Sequence, residues 1–180
     1  DDVDFNQAGE TIEESTILEW VAADGSYSLD YQFRTVDGKK EVVIRGYGEN
    51  KANSGRRSTT IVIPSVISAP NTYSNYKDYQ NVPVKSIYQN AFRFDFGCPE
   101  NVTIPASVES IGVNAFTCGD NSAYATLKSL TIEENSKLTS IGDFAFQNQK
   151  LLAGNITIPA GVTEIGDQAF EGCASITGIT

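Results

Sequence analysis

The chain has 180 residues, a formal net charge of -10 and 40% hydrophobic residues, which is enough apolar material for an elongated core. It has no stretch approaching the roughly 18 consecutive apolar residues of a membrane-spanning helix. An acidic chain without a basic stripe repels nucleic acid and anionic membrane surfaces. The chain also has no histidine, which removes His-based catalytic triads and His metal sites.

The first third of the sequence is predicted to divide into a tail and a cap. Residues 1–10 are acidic and are expected to form a flexible tail. Residues 26–47 predict a β-hairpin, because alternating apolar residues flank the turn signal Asp37-Gly38. We interpret residues 11–57 as an N-terminal cap, since a stack of repeats otherwise exposes its first apolar end.

From residue 58 onward the sequence repeats a short unit that reads I-x-I-P, a valine or leucine, I-G and A-F. About four units, followed by a C-terminal stub that begins at Ile176, lie at residues 61–92, 102–116, 130–146 and 156–170. The I-x-I alternation predicts a strand, proline ends its ladder, and I-G permits a tight bend. Stacked units are expected to bury Ile over Ile and Phe over Phe.

These units resemble the BspA-type leucine-rich repeats of bacterial surface proteins, most closely at residues 102–116 and 156–170. The resemblance covers residues 59–180 and implies an α/β leucine-rich-repeat right-handed solenoid, β-rich with short helical turns. It also implies export, commonly with lipid anchoring to a cell envelope, and a binding or adhesion role without catalytic residues. Two departures are Glu133, which replaces the proline of the third unit, and Cys98, which lies later than the family's cysteine.

An insertion at residues 65–83 interrupts the first unit. Insertions in solenoids emerge as surface loops that often carry recognition, and Tyr, Ser and Asn are favoured in binding loops. A shorter expansion is expected beside it on the same edge. The candidate interaction loop therefore comprises Tyr73, Tyr76, Tyr79 and Tyr124. An alternative stays open, in which the tyrosines of the insertion fold back and pack on the cap hairpin.

The outward face of the predicted sheet is a second candidate surface. If the isoleucines of I-x-I point inward, the outward residues are Thr60, Val62, Asn101, Thr103, Ser129, Thr131, Asn155 and Thr157. This face is small and uncharged. The alternative is that threonine simply suits a solvated strand and that no ligand is needed to explain the ladder.

No residue pattern predicts catalysis, a metal site or a cofactor. Cys98, Cys118 and Cys173 lack C-x-x-C spacing, and at most one disulfide can form among them. The acidic pair Glu133-Glu134 lies on a turn of a convex coil, whereas glycoside cleavage needs carboxylates on both sides of a cleft.

We therefore expect a non-catalytic cell-surface binding or adhesion module that recognises a protein or glycan on a host or neighbouring cell. Two alternatives remain, namely a glycan-binding module and a purely structural spacer or assembly repeat. The stub at residues 176–180 makes end-to-end self-association part of the second alternative. Because the sequence begins at Asp1 and contains no Met, we expect any export signal to have been removed.

Overall fold

The computed structural model of the chain describes residues 11–48, 60–93, 98–118 and 126–180. The predicted tail at residues 1–10 and Tyr124 lie outside these ranges. The strands are β1 (Leu18–Val21), β2 (Ser28–Val36), β3 (Lys39–Tyr47), β4 (Thr60–Val62), β5 (Val66–Ile67), β6 (Val82–Ile87), β7 (Asn101–Ile104), β8 (Ser110–Ile111), β9 (Ser129–Ile132), β10 (Ser140–Ile141), β11 (Gly154–Ile156), β12 (Glu164–Ile165) and β13 (Ile176–Ile179). Within the described ranges, no helix is long and apolar enough to cross a bilayer.

The predicted β-hairpin is present. Strands β2 and β3 pair antiparallel up to Val36 and Lys39. The turn residues Asp37 and Gly38 have φ values of 49° and 74°, the left-handed conformation that a two-residue hairpin turn of this type requires. Strand β1 pairs with the other side of β2, and β3 continues in parallel pairing with β6. The hairpin is therefore continuous with the sheet of the coils.

The coils contain the expected parallel sheet and a second one that the sequence did not predict. The expected sheet has the order β4-β7-β9 and aligns Ile61, Val102 and Leu130. The second runs from the hairpin through β6, β8, β10 and β12 and aligns Ile111 with Ile141. Its two-residue strands β8, β10 and β12 directly precede Gly112, Gly142 and Gly166. The sequence predicted only a bend there, because a two-residue strand is too short to show alternation.

In the described residues, the regular coils turn without helices. The helix found in the described residues is the 3-10 helix Tyr76–Tyr79, which lies in the insertion and not in a regular unit. The residue before each Ala-Phe pair is left-handed, with φ of 60° at Asn90, 57° at Asn114 and 57° at Gln168. A left-handed residue interrupts any run of right-handed helical residues, so the short helical turns predicted for the repeats do not form in the part of the coils that the structure describes.

The predicted stacking of phenylalanines is confirmed. Ring centroids are 5.1 Å apart for Phe92 and Phe116, 5.2 Å for Phe116 and Phe146, and 5.2 Å for Phe146 and Phe170. At the first ring, Tyr47 from the hairpin meets Phe92 edge-on at 5.4 Å. The hairpin and the coils thus share one hydrophobic core.

The glycines of the I-G pairs are needed because successive coils lie close together. A Cβ atom at Gly112 would lie 2.6 Å from the backbone nitrogen of Gln89, and one at Gly142 would lie 2.7 Å from that of Val113. Real Cβ atoms do not approach backbone this closely. The glycines therefore allow the close approach of successive coils, a role that was not predicted from the sequence.

Candidate functional site

The insertion at residues 65–83 folds as an ordered element. Strand β5 pairs antiparallel with β6, with Val66 opposite Pro83. Beyond this pair, the amide of Ala69 donates to the carbonyl of Tyr79 at 2.8 Å, which brings the 3-10 helix back to the start of the insertion. The inserted residues therefore form a small hairpin-like structure beside the first coil.

The tyrosines of the insertion do not share one environment. Tyr79 is 9% exposed, its ring centroid lies 4.7 Å from that of Phe33 in the hairpin, and Lys40 Nζ lies 4.0 Å from the ring centre. Tyr73 and Tyr76 are partly buried against the core and keep part of their surface open. For Tyr79 the structure shows packing on the hairpin, so the exposed tyrosine surface of the insertion belongs to Tyr73 and Tyr76.

The insertion is fastened to the segment that precedes β1. Asn75 accepts a hydrogen bond from the amide of Ile12 at 2.9 Å and donates one to the Ile12 carbonyl at 3.2 Å. Ile12 itself is 2% exposed, and Thr11 bonds the Ser74 hydroxyl at 3.2 Å. These contacts join residues more than sixty positions apart in the chain, so the insertion is held against the N-terminal region in a fixed position.

The predicted sheet face is realised over three coils. The strand register places Thr60, Asn101 and Ser129 in one row, and Val62, Thr103 and Thr131 in a second row. In the first row, the Asn101 amide donates to Thr60 Oγ1 at 3.2 Å, and Ser129 Oγ donates to Asn101 Oδ1 at 2.8 Å. We call these six residues, of which all but Val62 are polar, the polar ladder. Their side chains carry no charge.

The remaining two residues of the predicted face do not belong to the three-stranded sheet of the polar ladder. Asn155 lies on β11, which pairs with β13 in a separate two-stranded sheet, and its amide donates to Thr180 Oγ1 at 2.9 Å. Thr157 follows the end of β11. Within the described residues β9 and β11 are not paired. The break coincides with a corner between Ile132 and Ile141 that is two residues longer than the corner between Ile104 and Ile111.

An aromatic pair that the sequence did not single out lies at the outer edge of the polar ladder. The Tyr27 hydroxyl donates to the carbonyl of Val62 at 2.7 Å and accepts from its amide at 3.0 Å. The ring centroid of Trp20 lies 6.0 Å from that of Tyr27, and both side chains are partly buried. Burial raises the pKa of Tyr27, and the bond to the Val62 carbonyl offsets part of this effect.

The three cysteines, all in described residues, are thiols and not disulfides. Burial raises the pKa of Cys98 to about 12 and that of Cys173 to about 11. Cys118 is fully buried and donates to the carbonyl of Asn148 at 2.8 Å. A thiol that stays protonated at neutral pH is a poor nucleophile and a poor metal ligand. The described part of the chain has no group of three or more His, Cys, Asp or Glu arranged to hold a metal ion.

Comparison with known proteins connects this architecture to one repeat family. Residues 119–180 match the model of the BspA type leucine-rich repeat region, in six copies. This match confirms the resemblance inferred from the repeat units. No curated protein sequence matches the chain.

Two solved structures resemble the chain over most of its length. The first is a leucine-rich repeat protein from Bacteroides capillosus ATCC 29799, with 28% identity and a TM-score of 0.60, covering 83% of this chain and 94% of that one. The second is a leucine rich cell surface protein from Faecalibacterium prausnitzii A2-165, with 25% identity and a TM-score of 0.58, covering 91% of this chain and 42% of that one. The chain thus spans less than half of the Faecalibacterium structure.

Proposed function

Because its C-terminal coils are BspA-type leucine-rich repeats, we propose that the chain is a non-catalytic binding module displayed outside a bacterial cell. The description of the Faecalibacterium neighbour as a cell surface protein supports this location. The module recognises a macromolecule on a host or neighbouring cell and contributes to adhesion. Export, with lipid anchoring as one means of attachment, belongs to the same proposal.

Recognition is assigned to the place where the repeat is broken. The insertion is fixed by the two bonds between Asn75 and Ile12, while Tyr73 and Tyr76 keep exposed surface. Partly exposed tyrosines on a rigid support are efficient binding anchors, because little side-chain entropy is lost when a partner covers them. This combination of a fixed backbone and open tyrosine surface is the observation that carries the proposal.

The N-terminal region has a supporting role in this proposal. We assign residues 11–57, of which 49–57 lie outside the described residues, as the cap of a right-handed solenoid. This assignment is supported by the pairing of β3 with β6 and by Tyr47, which packs on Phe92. The cap also positions the insertion through Asn75 and through Phe33, which packs on Tyr79. Binding and capping are therefore linked in one part of the molecule.

The test is a double variant, Tyr73→Ser with Tyr76→Ser, compared with Tyr88→Ser. Tyr88 is 39% exposed, lies outside the insertion and stacks with Arg45 at 3.8 Å. The chain is screened against an array of extracellular proteins, and the affinity for each protein that binds is measured by biolayer interferometry. We expect the double variant to bind at least about tenfold more weakly, as loss of aromatic anchors does, with the melting temperature and the Tyr88→Ser affinity preserved.

Two results would contradict the proposal. If the double variant retains full affinity, the insertion is not the recognition surface. If the chain binds neither a protein of the array nor intact cells, it is better explained as a structural repeat. Sedimentation at increasing concentration would then test self-association, for which the half-exposed Ile165 and Ile179 offer apolar surface.

A further inference from the structure

The aromatic pair Trp20 and Tyr27 and the polar ladder meet at Val62. Both hydrogen bonds of the Tyr27 hydroxyl go to the Val62 backbone, so the aromatic ring is fixed at the end of the ladder. The Val62 side chain is 49% exposed and continues the apolar surface of the pair. One continuous surface thus begins with aromatic rings and proceeds across hydroxyl and amide groups.

The polar ladder is organised before any ligand arrives. Asn101 is held on both sides, since its amide donates to Thr60 and its oxygen accepts from Ser129. A side-chain amide has two N–H groups and two oxygen lone pairs, and these bonds use one of each. One donor and one acceptor of Asn101 therefore remain, aimed by bonds that already fix the side chain.

The spacing and charge of this surface restrict the ligand. Neighbouring strands lie about 4.8 Å apart, so the polar groups of Thr60, Asn101 and Ser129, and the hydroxyls of Thr103 and Thr131, recur at this interval. This interval is close to the length of one pyranose unit. Lys128 and Glu100, which are sequence neighbours of Ser129 and Asn101, form an ion pair of 2.7 Å, and Asp24 interacts electrostatically with Tyr27 at the aromatic edge. A surface of uncharged groups with a carboxylate at its aromatic edge gives no attraction to phosphate, sulfate or carboxylate groups.

We propose that Trp20, Tyr27, Val62 and the other residues of the polar ladder form a binding site for a neutral oligosaccharide. The apolar C–H face of one sugar ring packs on the aromatic pair, and the hydroxyls of the following rings bond Asn101, Ser129 and the threonines. This combination of aromatic packing and fixed polar groups is the general way in which concave or flat sites bind uncharged polar ligands. The site is separate from the insertion and goes beyond the function proposed above.

Trp20 provides a direct measurement, because it is the single tryptophan of the chain. The protein is titrated with cellohexaose, xylohexaose, mannohexaose and chitohexaose while Trp20 emission is recorded, and binding is confirmed by isothermal titration calorimetry. A heparin hexasaccharide serves as the anionic comparison. We expect a saturable emission change with at least one neutral hexasaccharide and none with the anionic one.

The contribution of the ladder is measured with the double variant Asn101→Ala and Ser129→Ala. Removing both groups should weaken sugar binding by at least about tenfold, since two net hydrogen bonds are lost. The matched control is Asn155→Ala, which removes an asparagine from the same repeat position in the separate β11–β13 sheet. That variant should bind as the parent does. Trp20→Phe, followed by calorimetry, should retain binding, whereas Trp20→Thr should lose most of it.

Four results would overturn the site. They are silence with all four neutral sugars, equal binding by the Asn101/Ser129 variant, equal loss in Asn155→Ala, or stronger binding of the heparin fragment. The Tyr73/Tyr76 variant separates this proposal from the previous one. It should bind sugar normally while losing the protein partner, so either proposal can fail without the other.

Discussion

The regular coils are stabilised in one way, and the front of the molecule, by which we mean residues 11–48 together with the insertion at residues 65–83, is stabilised in another. In the coils, each residue type packs on its own kind in the next coil, as Phe116 does between Phe92 and Phe146. In the front, unlike residues from distant parts of the chain meet once, as Asn75 meets Ile12. Periodic contacts can be extended without limit but distinguish no position from another. The unique contacts create the surfaces on which specific recognition can be built.

This difference predicts how far the effect of a substitution on stability extends through the molecule. A substitution in the coils removes contacts on two sides, so its effect on stability should depend on its position along the stack. A substitution in the front removes a single contact, so its effect should stay local. The predictions below test this difference in order of decreasing effect.

The largest effect is expected for Phe116→Ala. The ring is fully buried and stacks on both neighbours, so its removal should lower the free energy of unfolding by about 3–5 kcal/mol. Phe170→Ala is the matched control, because Phe170 is partly exposed and stacks on Phe146. Urea unfolding of both variants should show a clearly smaller loss for Phe170→Ala. Equal losses would mean that the stack does not behave as a chain of pairwise contacts.

The next effect concerns the spacing between coils. A Cβ atom in Gly142→Ala would lie 2.7 Å from the backbone of Val113, and backbone cannot move aside as a flexible side chain can. We expect a loss of about 2 kcal/mol by calorimetry, within the range for overpacking. Gly161→Ala is the control, since its nearest contact would be 3.3 Å, and it should change stability by well under half as much. Tolerance at position 142 would show that the coils can separate at little cost.

In the front, Asn75→Ala should cost about 1–3 kcal/mol locally, because it leaves the buried amide and carbonyl of Ile12 without their side-chain partner. Hydrogen exchange should accelerate at residues 12–17 and in the insertion. Exchange at β8 and β10 should stay unchanged. The exposed neighbour Ser74→Ala is the control and should have almost no effect. Accelerated exchange throughout the coils would contradict the separation of the two regions.

The repeating part of the fold could be predicted from the sequence, because its contacts recur with the same period as the sequence repeat. Aligning the I-x-I segments gave the register of Val62, Thr103 and Thr131 directly, and the Asp37-Gly38 signal gave the hairpin. The same alignment failed for Asn155, because β11 pairs with β13 and not with β9, and this break coincides with a longer corner after Ile132. Periodicity predicts which residues are equivalent, but a local change in length decides whether equivalent residues stay adjacent.

The candidate sites were less predictable for the same physical reason. The bonds from Tyr27 to Val62 and from Asn75 to Ile12 connect residues 35 and 63 positions apart and follow no repeat. The tyrosines of the insertion looked alike in sequence, yet Tyr79 packs under Lys40 while Tyr73 and Tyr76 remain partly open. Only the tertiary structure determines which member of such a group is buried.

The smallest predicted effect is at Phe144, which occupies the left-handed position of the third coil with φ of 57°. The equivalent residues are Asn90, Asn114 and Gln168, and asparagine tolerates this conformation far better than a bulky aromatic residue does. Phe144→Asn should therefore raise the free energy of unfolding by about 1 kcal/mol in urea titration, reduced by whatever packing the partly buried ring provides. Gln168→Asn is the control and should gain less.

The sign of the Phe144 result bears on function. A gain in stability would mean that the protein keeps a strained, partly exposed aromatic residue where its own repeat offers a better one, and such strain is concentrated at sites that contact other molecules. A loss would assign the ring to packing between coils. The left-handed position of the third coil would then serve packing, as the rest of the regular coil does. Recognition would be confined to the insertion and to the polar ladder with its aromatic edge.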